Sequence, residues 1–258
     1  MREINLQNEK LKIIAFIKEQ LSQAGMKDLV VGISGGIDSA VTAALCVEAA
    51  GKEKVHAFLL PYRLSHPDSL AHGKLVAEHL GLDYEVIDIS PMVEVYFNTY
   101  AREADYLRKG NRMARERMCI LFDQSARYKA LVAGTGNKSE LLTGYVTQHG
   151  DGACAFEPLG HLYKTEIFKM AEYLGLPEIV INKKPTADLW AEQTDEAEMG
   201  LTYTLLDEIL YGLYDRKMNE QQLQALGCSK NDISRVKQLY QYSEFKRHLP
   251  PQPQEEQH

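Results

Sequence analysis

Residues 29–49, LVVGISGGIDSAVTAALCVEA, constrain this chain more than any other stretch. Residues 29–33 are a short apolar run rich in β-branched side chains, the pattern of a strand buried in a parallel sheet. Ser34-Gly35-Gly36 then supplies a tight turn, and Asp38-Ser39 opens a segment of Ala, Val and Leu that reads as a helix. A strand, a glycine turn and a helix start together make an anion site. The glycines let backbone N–H groups approach a phosphate, and the helix start adds the positive end of its dipole. Asp38 stands where a bridging Mg²⁺ needs a carboxylate. No lysine follows in the GxxxxGK[ST] position, so the turn is not the common P-loop.

The rest of the chain repeats the alternation. Residues 3–24 read as an amphipathic helix carried by Leu11, Ile14, Ile17 and Leu21. Residues 55–60 (VHAFLL) form a second strand, and residues 65–81 a helix with Asp68 as its cap. Residues 84–89 form a third strand. Ser90-Pro91 starts another helix, serine as cap and proline as first residue. Residues 111–129 read as a long helix with Arg112, Arg115 and Arg117, and residues 130–134 (ALVAG) as a fourth strand. This order predicts an α/β fold, a doubly wound, Rossmann-like parallel sheet. A helical C-terminal part follows, with helix starts near Tyr163 and at Thr194-Asp195. Residues 250–258 are Pro/Gln-rich and read as a disordered tail. No repeat or long linker divides the chain, so a single domain over residues 1–258 is expected.

Residues 134–140, GTGNKSE, follow the fourth strand directly. Alone they read as a turn with Ser139 capping a helix. Paired with SGGIDS they read as the other half of a nucleotide site, with Glu140 as a second Mg²⁺ ligand.

Composition narrows the partners. The chain has 258 residues, 29 basic and 36 acidic, for a net charge of −7. No basic stripe marks a nucleic-acid surface. Cys46, Cys119, Cys154 and Cys228 lie far apart with no CxxC pair, which disfavours structural zinc and fits free thiols in a reducing cytoplasm. The first residues carry no signal-peptide pattern, and no run reaches the roughly 20 apolar residues of a membrane span. His66, His72 and His79 lack metal-site spacing. Trp190 reads as core or as a contact of a closing loop, and residues 62–67 and 186–195 as loops that close over ligand.

SGGIDS, NRMARERM, GTGNKSELLTGYVTQHGDG, PLGHLYKTE, KKPTADLWAEQTDE and FKR occur in the order of the NAD synthetases. The chain resembles this family, within the ATP pyrophosphatases, over about residues 10–250. It is similar to the ammonia-dependent form, since the glutamine-dependent enzymes carry an added glutaminase domain. The resemblance implies the adenine nucleotide hydrolase type of sheet and a reaction in two steps. ATP adenylates the nicotinate carboxylate of deamido-NAD with release of PPi, and ammonia then displaces AMP. It implies ATP contacts from Gly32, Ile33, Ser34, Gly35, Gly36, Ile37, Asp38, Ser39, Leu60, Thr135, Lys164 and Thr186, with Mg²⁺ on Asp38 and Glu140. Arg115 and Lys246 match deamido-NAD contacts. Lys164 matches a group stabilising charge on a phosphate, and Asp151 one that positions or deprotonates ammonium. At three further substrate positions the chain departs from the commonest pattern: Gln148 replaces a lysine, Ala155 an aspartate and Phe245 a histidine. A homodimer is implied, and a separate glutaminase could supply ammonia. Two alternatives compete: another ATP pyrophosphatase, such as a tRNA-modifying enzyme, and a non-catalytic adenine-nucleotide sensor.

Overall fold

The computed structural model describes residues 2–186 and 194–253. Four parallel strands, β1 (Asp28–Gly32), β2 (Val55–Leu59), β3 (Tyr84–Val86) and β4 (Ala130–Val132), lie in the order β3-β2-β1-β4. The order reverses at β1, between β2 and β4. In open sheets of this kind ligands bind beyond the carboxyl ends of the strands at such a reversal. Both glycine turns leave the sheet there, one from β1 and one from β4.

The alternation within strands explains the layers. Leu29, Val31, Ala57 and Leu59 face one core with Ile13 and Ile17 of α1 (Leu6–Ala24) and residues of α2 (Ile37–Ala50). Val30 and Phe58 face the other. That second core takes Val93 and Phe97 from α4 (Ser90–Tyr100) and Met113 from α5 (Tyr106–Tyr128). Since α3 (Pro67–His79) is the crossover from β2 to β3, each parallel connection carries a helix.

The later helices are α6 (Lys138–Thr143), α7 (Lys164–Tyr173), α8 (Glu178–Ile181), α9 (Asp195–Met199), α10 (Tyr203–Leu210), α11 (Glu220–Ala225) and α12 (Lys230–Tyr242). Ile167 and Met170 of α7 join the first core. Leu206, Ile209, Leu223, Ile233 and Val236 form a third, which also buries Tyr163.

The expected elements are present, with local differences. The third strand stops at Val86 instead of residue 89: Ile89 holds the cap position of α4, and the Asp88 carboxylate just before it accepts the Ser90 N–H at 2.8 Å. Ser90 is therefore not the cap; its hydroxyl accepts the Arg63 N–H at 2.8 Å. The cap of α3 is His66, whose Nδ1 accepts the Asp68 N–H, instead of Asp68 itself. Ser139 does not cap α6. Asn137 does, in a reciprocal box with Glu140. The long helix begins at Tyr106, with Asp105 as cap. Trp190 and residues 187–193 of the second closing loop lie outside the described residues, as do residues 254–258 of the tail.

Candidate active site

A cavity of about 1070 Å³ opens at the carboxyl end of the sheet. Its floor is the turn after β1. Ser34 N–H donates to the Ser39 hydroxyl at 3.2 Å, that hydroxyl donates to Gly36 O at 3.0 Å, and Gly36 N–H donates to the Ser34 hydroxyl at 3.2 Å. The two serines thus lock the turn from inside. No side chain caps α2, so the amides of its first turn face the cavity, an arrangement suited to a phosphate. Gly35 lies behind the turn with φ +79°, and a Cβ there would sit 2.2 Å from Ser69 O.

The turn after β4 works differently. Gly136 N–H is already taken by Glu157 Oε2 at 2.9 Å. Lys138 points outward to Asp215 at 2.6 Å. The Ser139 hydroxyl donates to Asp207 and accepts the Lys164 N–H at 2.9 Å. From residues 134–140, Gly134, Thr135 and Glu140 line the cavity. The first turn offers backbone donors to an anion, and the second offers a hydroxyl and a carboxylate.

Lys164, the first residue of α7, joins the two turns. Its ammonium pairs with Asp38 Oδ2 and lies 3.4 Å from Glu140 Oε1. Asn137, fully buried, completes the link by donating Nδ2–H to Asp38 Oδ1 at 2.8 Å and N–H to Glu140 Oε2 at 3.2 Å. A cation at the start of a helix opposes the dipole, and here the two carboxylates offset that cost. Burial alone would lower the Lys164 pKa, but Asp38 and Glu140 raise it above its ordinary value, so the side chain stays charged. Burial first, and then the Asp38 charge, push Glu140 upward.

A third carboxylate approaches the same ammonium. Asp195, at the start of α9, is 4% exposed and lines the cavity. Its Oδ2 accepts from the Tyr203 hydroxyl at 3.1 Å, while its Oδ1 is buried with no hydrogen-bond partner among the described residues. Burial raises its pKa against the opposing pull of Lys164.

The other expected residues divide into two groups. Gly32, Ile33, Ser34, Gly36, Ile37, Ser39, Leu60, Asp151, Thr186 and Lys246 line the cavity. Leu60 O accepts from Arg117 Nε at 2.9 Å, and Asp151 Oδ1 accepts the Thr147 N–H at 2.8 Å. Lys246 donates to Gly144 O and Val146 O, each at 2.7 Å, closing the wall opposite the sheet. Arg115, Gln148, Ala155 and Phe245 do not line it. Arg115 Nε donates to Gln148 O at 3.3 Å at the rim, and Phe245 is 60% exposed. Asn137 and Tyr203 were not singled out from sequence, Arg117 only as one of three arginines on the long helix, and Asp195 only as a helix start at the end of a closing loop. Asn137 carried a readable signal, because N-x-x-E before an apolar run is a capping box. The others depend on distant packing.

A parallel sheet with an amide-lined turn at its reversal and paired carboxylates opposite defines a nucleotide-binding α/β protein of the ATP pyrophosphatase type. Comparison with known proteins is narrower. The NAD synthase family model matches residues 10–250. The NH(3)-dependent NAD(+) synthetase of Trichlorobacter lovleyi is 47% identical over 247 residues, covering 96% of this chain and 90% of that protein. Among solved structures, the NH3-dependent NAD synthetase of Campylobacter jejuni superposes with TM-score 0.84 at 35% identity, covering 98% of this chain and 100% of that one. The NMN synthetase of Francisella tularensis superposes with TM-score 0.88 at 30% identity, covering 97% and 99%. The chain belongs to the NAD synthase family.

Proposed function

We infer that this chain is an ammonia-dependent NAD synthetase. It forms an amide from the nicotinate carboxylate of deamido-NAD, ammonia and ATP. The observation that carries the reading is the convergence of Asp38, Glu140 and Lys164 beside the open amides of α2 in one cavity.

A carboxylate is a poor acyl donor because oxide is a poor leaving group. A carboxylate oxygen attacks the α-phosphorus of ATP, the bond to the bridging oxygen breaks, and PPi leaves. The nitrogen of ammonia then attacks the acyl carbon, a proton is lost, and AMP departs with the former carboxylate oxygen. The chain's part is positioning and electrostatics. The first-turn amides of α2 hold phosphate oxygens, Thr135 offers a hydroxyl, and Lys164 supplies positive charge against the phosphate chain.

Asp38 and Glu140 suit Mg²⁺, which takes one or two carboxylates with phosphate oxygens and water. Bound there, it would neutralise charge on the phosphates and on the departing PPi. Among the described residues no group of three or more His, Cys, Asp or Glu side chains is placed to hold a metal by itself; oxygens of the nucleotide would complete the set. All four oxygens of the two carboxylates already accept hydrogen bonds from Lys164 or Asn137. A metal held there would take one of these oxygens in place of Lys164, whose ammonium would then be available to a phosphate oxygen.

Asp151 lies at the cavity wall, where burial raises its pKa against the pull of the Thr147 hydrogen bond and the Arg117 charge, and its role toward ammonium belongs to this proposal. So do the homodimer, suggested by exposed Tyr96, Tyr100, Tyr106 and Leu107 on α4 and α5, and the cytoplasmic setting. Among the described residues no helix is long and apolar enough to cross a membrane.

Incubating the protein with MgATP, ammonium and deamido-NAD, and in parallel with nicotinate mononucleotide, tests the proposal. NAD with equal amounts of AMP and PPi supports it. The likeness to an NMN synthetase makes the mononucleotide the competing acyl substrate, and a preference for it would move the assignment there. Tight ATP binding without turnover of either acid would support the sensor.

A further inference from the structure

Glu157 lies behind the turn after β4 and takes no part in the chemistry above. The segment that carries it runs beside β4. Ala155 N–H donates to Val132 O at 2.9 Å, Gly134 N–H donates to Phe156 O at 2.9 Å, and Ala133 and Phe156 form a parallel bridge. This continues the sheet by one short step past β4. It delivers the Glu157 carboxyl to the rear of residues 134–136.

The fit there is close. A Cβ at Gly134 would meet Glu157 Oε2 at 2.3 Å and Cys154 Sγ at 2.6 Å, and a Cβ at Gly136 would meet Glu157 Oε1 at 3.1 Å. The carboxyl thus occupies the space that side chains at both positions would need, and the thiol adds to it at residue 134. Glu157 Oε2 also accepts the Gly136 N–H. Between the two glycines Thr135 is the residue with a side chain, and it lines the cavity. Glycine at residues 134 and 136 therefore leaves room for the close approach of Glu157, most tightly at residue 134; neither has a positive φ.

From this geometry we propose that Glu157 is a positioning residue for the nucleotide: it clamps the 134–136 turn from behind and so presents the Thr135 hydroxyl to ATP. The proposal rests on the synthetase reading for its substrate, and it concerns a residue that touches neither nucleotide nor acid. The clamp needs an acceptor oxygen at one reach, which glutamine also provides. It does not need charge. Burial favours the neutral form while the Gly136 N–H favours the carboxylate, and the balance leaves the Glu157 pKa pushed up to about 7.

The test is steady-state kinetics on E157Q, E157L, T135V and the double variant E157L/T135V, with melting curves for each. In E157L the KM for ATP rises about tenfold, the scale of one lost hydrogen bond, while the KM for deamido-NAD stays near the wild-type value. E157Q recovers most of the loss. T135V alone raises the KM for ATP, and adding E157L to it changes little, because the clamp acts through Thr135. Should E157L fail to fold, E157N takes its place, its amide one methylene short of the Gly136 N–H, with the same rise expected. An unchanged KM for ATP in E157L, no recovery in E157Q, or additive losses in the double variant overturns the proposal. If the wild-type protein turns over neither acid, it is the synthetase reading that fails. Direct ATP binding, compared in the wild type, E157L and E157Q, then decides the clamp on the same criteria.

Discussion

The Lys164 ammonium is ion-paired with the Asp38 carboxylate, joining residues 126 positions apart at the point where the sheet order reverses. One comes from the helix after β1 and the other from the helix after the 144–163 segment. The pair fixes the distance between the two glycine turns, and with Glu140 and Asn137 it turns separate loops into one site. Breaking a buried pair of this kind costs about 3–5 kcal/mol because the remaining charge is left uncompensated. K164M is therefore expected to lower the melting temperature and to slow NAD formation by on the order of 10²-fold or more. With the ammonium gone, Asp38 and Glu140 are free to take a metal without nucleotide. Added Mg²⁺ should therefore raise the melting temperature of K164M more than that of the wild type. An equal response in both proteins would count against a shared cation position.

The carboxylates themselves give a second prediction. D38A or E140A should slow adenylate formation by on the order of 10²-fold, measured as PPi release in a single turnover, since charge neutralisation on the phosphates is lost. The two differ in structure. Glu140 also receives the Asn137 N–H in the capping box, so E140A should unfold at lower temperature than D38A, while E140Q keeps the cap and loses mainly the chemistry. Near wild-type rates at saturating Mg²⁺ would refute the metal assignment.

How far the sequence revealed this site depends on the range of the interaction concerned. The turn at Ser34-Gly35-Gly36 was legible because its strand, glycines and helix start are contiguous, and backbone physics over ten residues suffices. Asp38 and Glu140 were legible as a pair only through two such turns read together. Lys164 was marked by its unfavourable place at a helix start. Asp195 was not legible: an acidic residue after threonine reads as an ordinary helix start, and its burial arises from Tyr203 packing at a distance. Glu157 was not legible either. Its function depends on the empty space at Gly134 and Gly136, which no local pattern states. The cap positions at His66 and Ile89 were missed because histidine is an uncommon cap and because Ser90-Pro91 offered a conventional one.

Glu157 also makes stability depend on pH. Burial holds its folded pKa at about 7, above the ordinary 4.5 of the unfolded chain. Between those values the folded protein holds a proton that the unfolded chain has released, so stability falls as pH rises through the window. Below the lower value both states are protonated, and above the upper value the loss is complete. E157Q cannot titrate. Its stability relative to wild type should rise between pH 4.5 and 7 by an amount of order 1–3 kcal/mol, read from denaturant midpoints. A constant difference across the window would show that the Glu157 pKa is not raised in the folded protein.

Lys246 tests the far wall. Its ammonium holds Gly144 O and Val146 O, which anchors residues 144–146 at the cavity edge, and burial lowers its pKa. K246A leaves two carbonyls without their donor. The expected outcome is a KM for deamido-NAD raised about tenfold or more, with the KM for ATP little changed, because the ATP side of the cavity is built from other elements. K246R should restore part of the loss. A rise confined to ATP would place the dinucleotide elsewhere.

The floor of the cavity gives the sharpest contrast, since Gly35 and Gly36 are neighbours with different constraints. Gly35 has φ +79°, and a Cβ there would lie 2.2 Å from Ser69 O and 2.9 Å from Gly73 N, both backbone atoms of α3. Neither can give way without shifting the helix. Gly36 has φ −97°, and the nearest atom to its Cβ would be Ser34 Oγ at 3.3 Å. G35A therefore combines a left-handed conformation, of order 1 kcal/mol for alanine, with displacement of α3, and should cost about 3 kcal/mol or more in total. G36A should cost about 1 kcal/mol or less in stability, yet weaken ATP binding, because its methyl group enters the space beside the α2 amides. Calorimetric melting together with ATP titration separates the two. Equal destabilisation by both substitutions would mean that α3 does not press on the turn as the Gly35 contact requires.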